Sequence, residues 1–196
     1  MSNRIEGITG VVLAGGKGSR MRNTDKSRLS AGTETFVDLS LKSLSFCGEL
    51  MIISNNPHIH HNRGADVYPD IFPDCGPLGG LYTGLKKAKN NRIILLACDM
   101  PFVTEALMRR IASYPFEGNA LLPIAHGRQQ PICAVYSTSL IPLIEEFIEK
   151  KEFMIVRMLD KTKVDYLDLS AEDTGNHFIN INTPSDYERY IKPFRS

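Results

Sequence analysis

The chain has almost no net charge. Lys and Arg number 23 and Asp and Glu 22, leaving +1 over 196 residues. A general nucleic-acid groove or an anionic membrane face needs a sustained basic excess, so neither is expected. No basic stripe interleaved with aromatic residues is present either. No apolar run reaches membrane-spanning length, and Met1-Ser2-Asn3-Arg4 opens without the apolar core of a signal peptide. A cytoplasmic location is expected. Cysteine is sparse. Cys47, Cys75, Cys98 and Cys133 form no C-x-x-C pair or other metal spacing, so scattered buried thiols are expected. No repeat, linker or low-complexity tract interrupts the chain, and its length suits a single domain over 1–196. Nor does any Ser/His/Asp or Cys/His set suggest nucleophilic catalysis by a side chain.

What the chain does have is a glycine loop, Leu13-Ala14-Gly15-Gly16-Lys17-Gly18-Ser19-Arg20-Met21, with Asp25-Lys26 close behind. It follows the apolar run Ile8 to Leu13, which reads as a buried strand. Glycines there let the backbone turn sharply and approach a ligand closely. Exposed amides at such a turn favour a phosphate, and Arg20 and Lys26 add positive charge. A Walker loop is excluded, because Gly16-Lys17 is followed by Gly18 instead of Ser or Thr. A dinucleotide fingerprint is excluded by Met21, where it needs a third glycine. The plainer alternative is a strand-to-helix turn. The clustering of Gly15, Gly16, Gly18, Arg20 and Lys26 favours a nucleoside triphosphate site.

Strand and helix patterns alternate along the rest. Helical spacing joins Val37, Leu41 and Leu44, and Leu50 to Ile53 reads as a strand. Val67-Tyr68 reads as another, and Gly76-Pro77 opens a helix. Ile93 to Cys98 is the continuous apolar strand of a sheet covered on both faces. Strands follow at Ala120-Leu122, Ile132-Val135, Val164-Leu169 and Phe178-Ile181, and helices at Thr104-Ile111, Leu140-Ile148 and Phe153-Leu159. Thr183-Pro184-Ser185-Asp186 resembles a capping box. This alternation predicts an α/β fold: one doubly wound, mostly parallel sheet with helices on both faces. Ligands of such sheets sit beyond the carboxyl ends of the strands. Ser54, Asp70, Asp99 and Asn182 each follow an apolar run and are expected to converge there, beside the glycine loop.

Asp99, followed by Pro101, is the sharpest candidate for a hard cation; magnesium takes one or two carboxylates plus phosphate oxygens and water. A capping or turn aspartate is the alternative. Asp70 is a candidate for nucleotide hydroxyls or base, with a turn role next to Pro69 as the alternative. Gly79 and Gly80 inside a helix cost on the order of 1 kcal/mol each against alanine, so a ligand or a neighbouring backbone is expected to come close. Arg128, Gln130, Asn180 and Asn182 supply a guanidinium and amides at strand ends. His58, His60 and His61 are expected on a solvated loop rather than at a metal.

These motifs occur in an order that resembles the molybdenum cofactor guanylyltransferases, the MobA family. The match is carried by Leu13-Ala14-Gly15-Gly16, Arg20-Met21, Asp25-Lys26, Gly76-Pro77-Leu78-Gly79-Gly80, Cys98-Asp99-Met100-Pro101, Gln130-Pro131 and Asn180-Ile181-Asn182-Thr183-Pro184. It runs from about Gly10 to Tyr187. The resemblance implies a Rossmann-like nucleotidyltransferase that moves GMP from Mg-GTP to a molybdopterin phosphate. By motif position Leu13, Ala14, Gly15 and Lys26 would contact GTP, with Asp70 also at the nucleotide. Asp99 would hold magnesium, and Asn180 and Asn182 would lie at the reacting end or pterin side. Gly15 and Cys98 favour the guanylyl branch over relatives using CTP, which tend to have Ala and Gly there. Three departures stand out: Arg22 replaces a glycine, Ser27-Arg28-Leu29 replaces a Leu-Leu segment, and Thr35 stands at a typical proline. Transfer from CTP or to another phosphorylated acceptor is the nearest alternative, and an inert nucleotide-sensing module a more distant one. Partners beyond the two substrates would be other cofactor-biosynthesis proteins, and a monomer is expected.

Overall fold

A computed structural model describes residues 4–15, 29–170 and 175–192. β1 (Ile5–Leu13) is buried over its last six residues. A small antiparallel hairpin, β2 (Ser30–Ala31) and β3 (Glu34–Thr35), leads into α1 (Phe36–Ser43). Then come β4 (Cys47–Ile53), β5 (Asp66–Tyr68), α2 (Gly76–Lys87), β6 (Arg92–Ala97) and α3 (Glu105–Ser113). The second half supplies β7 (Ala120–Ala125), β8 (Arg128–Gln129), β9 (Cys133–Ser137), α4 (Ile141–Glu149) and α5 (Ile155–Leu159). β10 (Val164–Asp168) and α6 (Pro184–Tyr190) follow.

The main sheet has the order β10-β7-β9-β6-β1-β4-β5, with β8 paired to β7. β1 runs parallel to β4 and β6, β4 to β5, and β7 to β10. β9 is antiparallel to both its neighbours, and the short β8 is antiparallel to β7. The sheet is therefore mostly parallel, as the alternation predicts.

The two-residue period of β6 divides the core. Ile94 and Leu96 enter one apolar layer with Leu41 of α1 and Met108 and Ile111 of α3. Ile93 and Leu95 enter the other, with Leu78, Leu81 and Leu85 of α2 and Ile144 and Phe147 of α4. Both faces of β6 are thus covered, which is why its sequence does not alternate. Each fully buried Leu or Ile contributes about 1.5–3 kcal/mol relative to exposure. Thr104 caps α3, and Thr183 with Asp186 forms the expected capping box on α6.

Two expectations about strands are corrected. Phe178-Ile181 is not a strand: one backbone bond, from the Ile181 amide to the Asp99 carbonyl, ties it to the sheet edge. β7 runs on past Leu122 through Pro123. Its pairing with β9 covers only Ala120 and Leu121, so the proline lies beyond that ladder.

The registers make the site. Leu13 lies opposite Ile53 on one side and Ala97 on the other, and Ile53 lies opposite Tyr68. Four parallel strands therefore end level. β9 begins at the same edge, with Cys133 opposite Leu96. Among the described residues no helix is long and apolar enough to cross a membrane.

Candidate active site

The segments leaving the level strand ends are stapled together by backbone bonds. The Ala14 amide donates to the Ile53 carbonyl at 2.9 Å, the Cys98 amide to Leu13 at 3.0 Å, and the Ser54 amide to Tyr68 at 2.9 Å. Between them lies a cleft of about 660 Å³. Its lining comes from Leu13-Ala14-Gly15 after β1, Ser54-Asn55-Asn56 after β4, Asp70 after β5, and Asp99 with Ala97 and Cys98 at β6. Asp74, Gly76 and Pro77 at the start of α2 and Ile132 before β9 complete it. A Cβ at Gly15 would be 3.9 Å from the Ile53 carbonyl oxygen, an ordinary contact. Packing among the described residues thus leaves room for a side chain there, and close approach by a ligand is a separate demand for glycine.

Asp70 is held from two sides. Its Oδ2 accepts from the Asn55 side-chain amide at 3.1 Å, and its own backbone amide donates to Asn55 Oδ1 at 3.3 Å. The next amide, Ile71, donates to the buried Thr83 hydroxyl at 2.9 Å. Asp70 Oδ1 is buried and makes no hydrogen bond among the described residues. Burial pushes its carboxyl above the ordinary carboxylate value, with the Asn55 amide opposing. The effect reaches Cys75: its burial and the negative charges of Asp70 and Asp74 raise that thiol as well.

Asp99 follows the buried β6 strand and is itself half-buried. Its carbonyl accepts from Ile181 at 2.8 Å, which brings the flanking Asn180 and Asn182 beside the metal candidate. Asn180 Oδ1 is buried without a hydrogen bond among the described residues. The Asn182 amide is directed to Asp186 Oδ2 at 3.0 Å, so the α6 capping residue also fixes the end of this segment.

Leu13, Ala14, Gly15, Ser54, Asp70 and Asp99 therefore converge as the sequence predicts, whereas Asn182, expected with them, and Asn180 stay outside the cleft lining and join it only through the Ile181 bond to Asp99. The Ser54 hydroxyl accepts from the Asn56 amide at 3.2 Å and closes its own turn. Gly79 is corrected. It does not line the cleft, and a Cβ there would sit 2.8 Å from the Phe72 carbonyl oxygen. A neighbouring backbone requires this glycine. At Gly80 the obstacle is a Leu13 methyl at 2.7 Å. Arg128 and Gln130 also stand apart from this cleft. They sit at the β8 turn, the Gln130 side chain donates to the Arg128 carbonyl at 3.3 Å, and neither lines the cleft. Ile132 forms that wall. Gly16, Gly18, Arg20 and Lys26 lie outside the described residues. All four cysteines are buried and unbridged, as expected. His60 is buried instead of solvated, in a single 3-10 turn spanning Pro57–His60. Asn55, Asp74 and Ile132 were missed by the sequence reading; their only signal is adjacency to a strand end or glycine turn.

The oxygen donors fit a hard cation. Asp70 and Asp99 offer carboxylates, and Asn180, whose buried amide oxygen makes no hydrogen bond among the described residues, directly precedes Ile181, which bonds the Asp99 carbonyl. Among the described residues no cluster of three or more His, Cys, Asp or Glu could enclose a metal. A cation here would draw its other ligands from phosphate and water, as magnesium does.

Residues 10–164 match the MobA-like NTP transferase domain. A Clostridium perfringens protein named probable molybdenum cofactor guanylyltransferase is 31% identical over 187 residues, covering 92% of this chain and 94% of its own. A Vibrio atlanticus molybdenum cofactor guanylyltransferase is 30% identical over 184 residues, covering 92% and 93%. The crystal structure of molybdopterin-guanine dinucleotide biosynthesis protein A from Archaeoglobus fulgidus superposes with a TM-score of 0.77 at 21% identity, covering 94% of this chain and 97% of that one. With the cleft at its sheet edge and a family match over most of its length, this chain belongs to the MobA-like NTP transferase family.

Proposed function

We propose that this chain transfers GMP from magnesium-bound GTP to the phosphate of molybdopterin and releases pyrophosphate. The observation that carries the reading is the cleft at the level ends of β1, β4, β5 and β6. Its lining holds Leu13-Ala14-Gly15 together with Asp70 and Asp99. Relatives named for guanylyl transfer to the molybdenum cofactor, at about 30% identity over nearly their whole length, support the nucleotide and the acceptor. We read 1–196 as one domain acting as a monomer in the cytoplasm, alongside other cofactor-biosynthesis proteins.

The chemistry is attack by an acceptor phosphate oxygen on the α-phosphorus of GTP. A new P–O bond forms while the bond from the α-phosphorus to the bridging oxygen of the β-phosphate breaks. Pyrophosphate carries that electron pair away. A phosphate monoester has its second pKa near ~6 and is largely dianionic at neutral pH. No strong general base is required, which agrees with the lack of a Ser/His/Asp set. The difficulty is repulsion between two anions, so positioning and positive charge are what the protein must supply.

In this reading Leu13 and Ala14 contact the nucleotide where β1 ends, and Gly15, with Gly16 and Gly18, holds the triphosphate; the Ala14 amide itself is spent on the Ile53 carbonyl. Lys26 and Arg20 neutralise it. Asp70 accepts from nucleotide donors, and Asp99 holds the cation. Bound magnesium contributes charge neutralisation at the phosphates. Asn180 and Asn182 orient the acceptor phosphate next to Asp99. Arg128 and Gln130, at the β8 turn, extend the acceptor side; like Asn180 and Asn182 they lie outside the lining of this cleft.

The test is turnover. Purified protein is incubated with molybdopterin, magnesium and each of GTP, CTP, ATP and UTP, and pyrophosphate is measured. Release with GTP and formation of the guanine dinucleotide are expected. Equal use of CTP, or no pyrophosphate with any nucleotide, overturns the reading.

A further inference from the structure

Asn55 stands at the cleft edge just after β4, and Asp70 just after β5, on neighbouring parallel strands. Their contact is reciprocal. The Asn55 amide nitrogen donates to Asp70 Oδ2 at 3.1 Å, and Asn55 Oδ1 accepts from the Asp70 backbone amide at 3.3 Å. Two bonds from one side chain fix both the backbone and the carboxylate plane of the other residue. The terminal torsion of a carboxylate is broad and roughly two-fold; here the backbone bond fixes the Asn55 amide plane, so its nitrogen is held where it fixes Oδ2. Asn55 is the only side chain that hydrogen-bonds the Asp70 carboxylate among the described residues. A carboxylate oxygen has lone-pair capacity for more than one donor, so Oδ2 can keep the amide and still accept from a guest in the cleft.

We propose that Asn55 is a positioning residue for nucleotide binding: it locks the Asp70 carboxylate in the orientation that accepts hydrogen bonds from the nucleotide. The proposal rests on the reading of Asp70 as a nucleotide contact. In the free protein the pair is exposed at the cleft mouth and weak, because water competes for both partners. A nucleotide filling the cleft excludes that water, and the same bond then acts in a lower dielectric and strengthens. Asn55 therefore contributes to affinity more than to the stability of the free fold. It touches no reacting atom, so it should act on GTP binding and leave the chemical step alone.

The experiment is a double-mutant cycle on the full chain with GTP and magnesium. Dissociation constants come from titration calorimetry, and KM and kcat from pyrophosphate release with molybdopterin. Asn55→Ala is expected to raise Kd and KM about tenfold, the size of one hydrogen bond to a charged group near its lower limit. The change in kcat stays under about threefold. Asn55→Asp places a second carboxylate against the first and weakens binding more than Asn55→Ala does. In the Asp70→Ala background Asn55→Ala has no further effect, because the group it orients is gone. Melting temperatures of the free proteins identify any variant that fails to fold.

The outcomes separate the two ideas. If Asp70→Ala weakens GTP binding and Asn55→Ala does not, the positioning role is overturned and the reading of Asp70 stands. If Asn55→Ala keeps its full effect without Asp70, Asn55 acts on the ligand directly and the proposal is overturned. If Asp70→Ala leaves binding unchanged, the underlying reading of Asp70 fails and the proposal with it.

Discussion

The Ile181 amide donates to the Asp99 carbonyl at 2.8 Å, so the segment before α6 is fastened to the loop that carries the metal candidate. Ile181 itself is fully buried in a small cluster with Phe36 and Ile191. The segment carrying Asn180 and Asn182 is thus anchored both by a backbone bond and by apolar packing.

Asp99 is the side chain on which the cation reading depends most. Asp99→Asn keeps shape and loses charge. Removing one charge-stabilising group from a preorganised site typically costs 2.7–4 kcal/mol, about two to three powers of ten in rate. Turnover of Asp99→Asn should fall by about that factor with an unchanged melting temperature. A folded variant that keeps the wild-type rate removes Asp99 from the mechanism.

Chelation tests the same assignment without mutation. Ligand binding to the native state raises its apparent stability. GTP should raise the melting temperature with magnesium present, and excess EDTA should reduce that shift and stop pyrophosphate release. Added magnesium should restore both. A GTP shift and turnover that are insensitive to EDTA rule out a cation at Asp99.

Gly79 gives a prediction through backbone. Alanine is about 1 kcal/mol better than glycine in a helix interior, so on propensity alone Gly79→Ala would stabilise α2. Its Cβ would meet the Phe72 carbonyl oxygen at 2.8 Å, and a backbone atom cannot swing aside like a side-chain tip. The loop from Asp70 to Cys75 must shift. Net loss of stability is expected, together with weaker GTP binding, because Asp70 heads that loop. Calorimetric melting and a GTP titration read both. A more stable variant with normal affinity shows that the loop yields freely.

Much of this was legible in the chain itself. The continuous apolar stretch of β6 signalled two covered faces because helices pack on both sides of the sheet there, and strand ends pointed to one edge because the parallel strands β1, β4, β5 and β6 finish together. The convergence of Asp70 and Asp99 follows from that logic. Gly79 was ambiguous for a physical reason: a glycine marks a close approach without saying what approaches, and here it is Phe72. Arg128 and Gln130 lie at the β8 turn outside the cleft lining, and Ile132, just before the antiparallel β9, forms that wall. Phe178-Ile181 has strand composition, yet it forms no strand; its Ile181 amide bonds the Asp99 carbonyl and Phe178 packs into the apolar layer. Asn55 carried no pattern, since its importance lies in a partner reached only through strand pairing.

Thr35 replaces a proline typical of the resembling family, and the structure shows what it does. It caps α1: its hydroxyl accepts from the Asp38 amide at 3.2 Å, and Asp38 Oδ2 accepts from the Thr35 amide at 3.1 Å. The Arg63 guanidinium donates to the Thr35 hydroxyl at 3.1 Å and pairs with the Asp38 carboxylate, tying the helix start to the segment before β5. Burial pushes the Asp38 carboxyl up, but the hydrogen bonds from Arg63 and Thr35 outweigh it and hold the carboxyl below its ordinary value. A group whose folded-state pKa is depressed contributes stability above its unfolded value, near ~3.9 for aspartate. That contribution is lost as pH falls through the lower folded value. Arg63→Gln should therefore be less stable than the parent at pH 7, with the gap closing below about pH 4. The loss should not exceed about 1 kcal/mol, since Asp38 is 38% exposed and solvent screens the pair. Thr35→Ala should cost about 1 kcal/mol through the lost cap, with a weaker pH dependence because the ion pair survives. Urea unfolding of the three proteins from pH 3 to 7 decides the matter, and a gap for Arg63→Gln that stays constant across that range removes the ion pair as its cause.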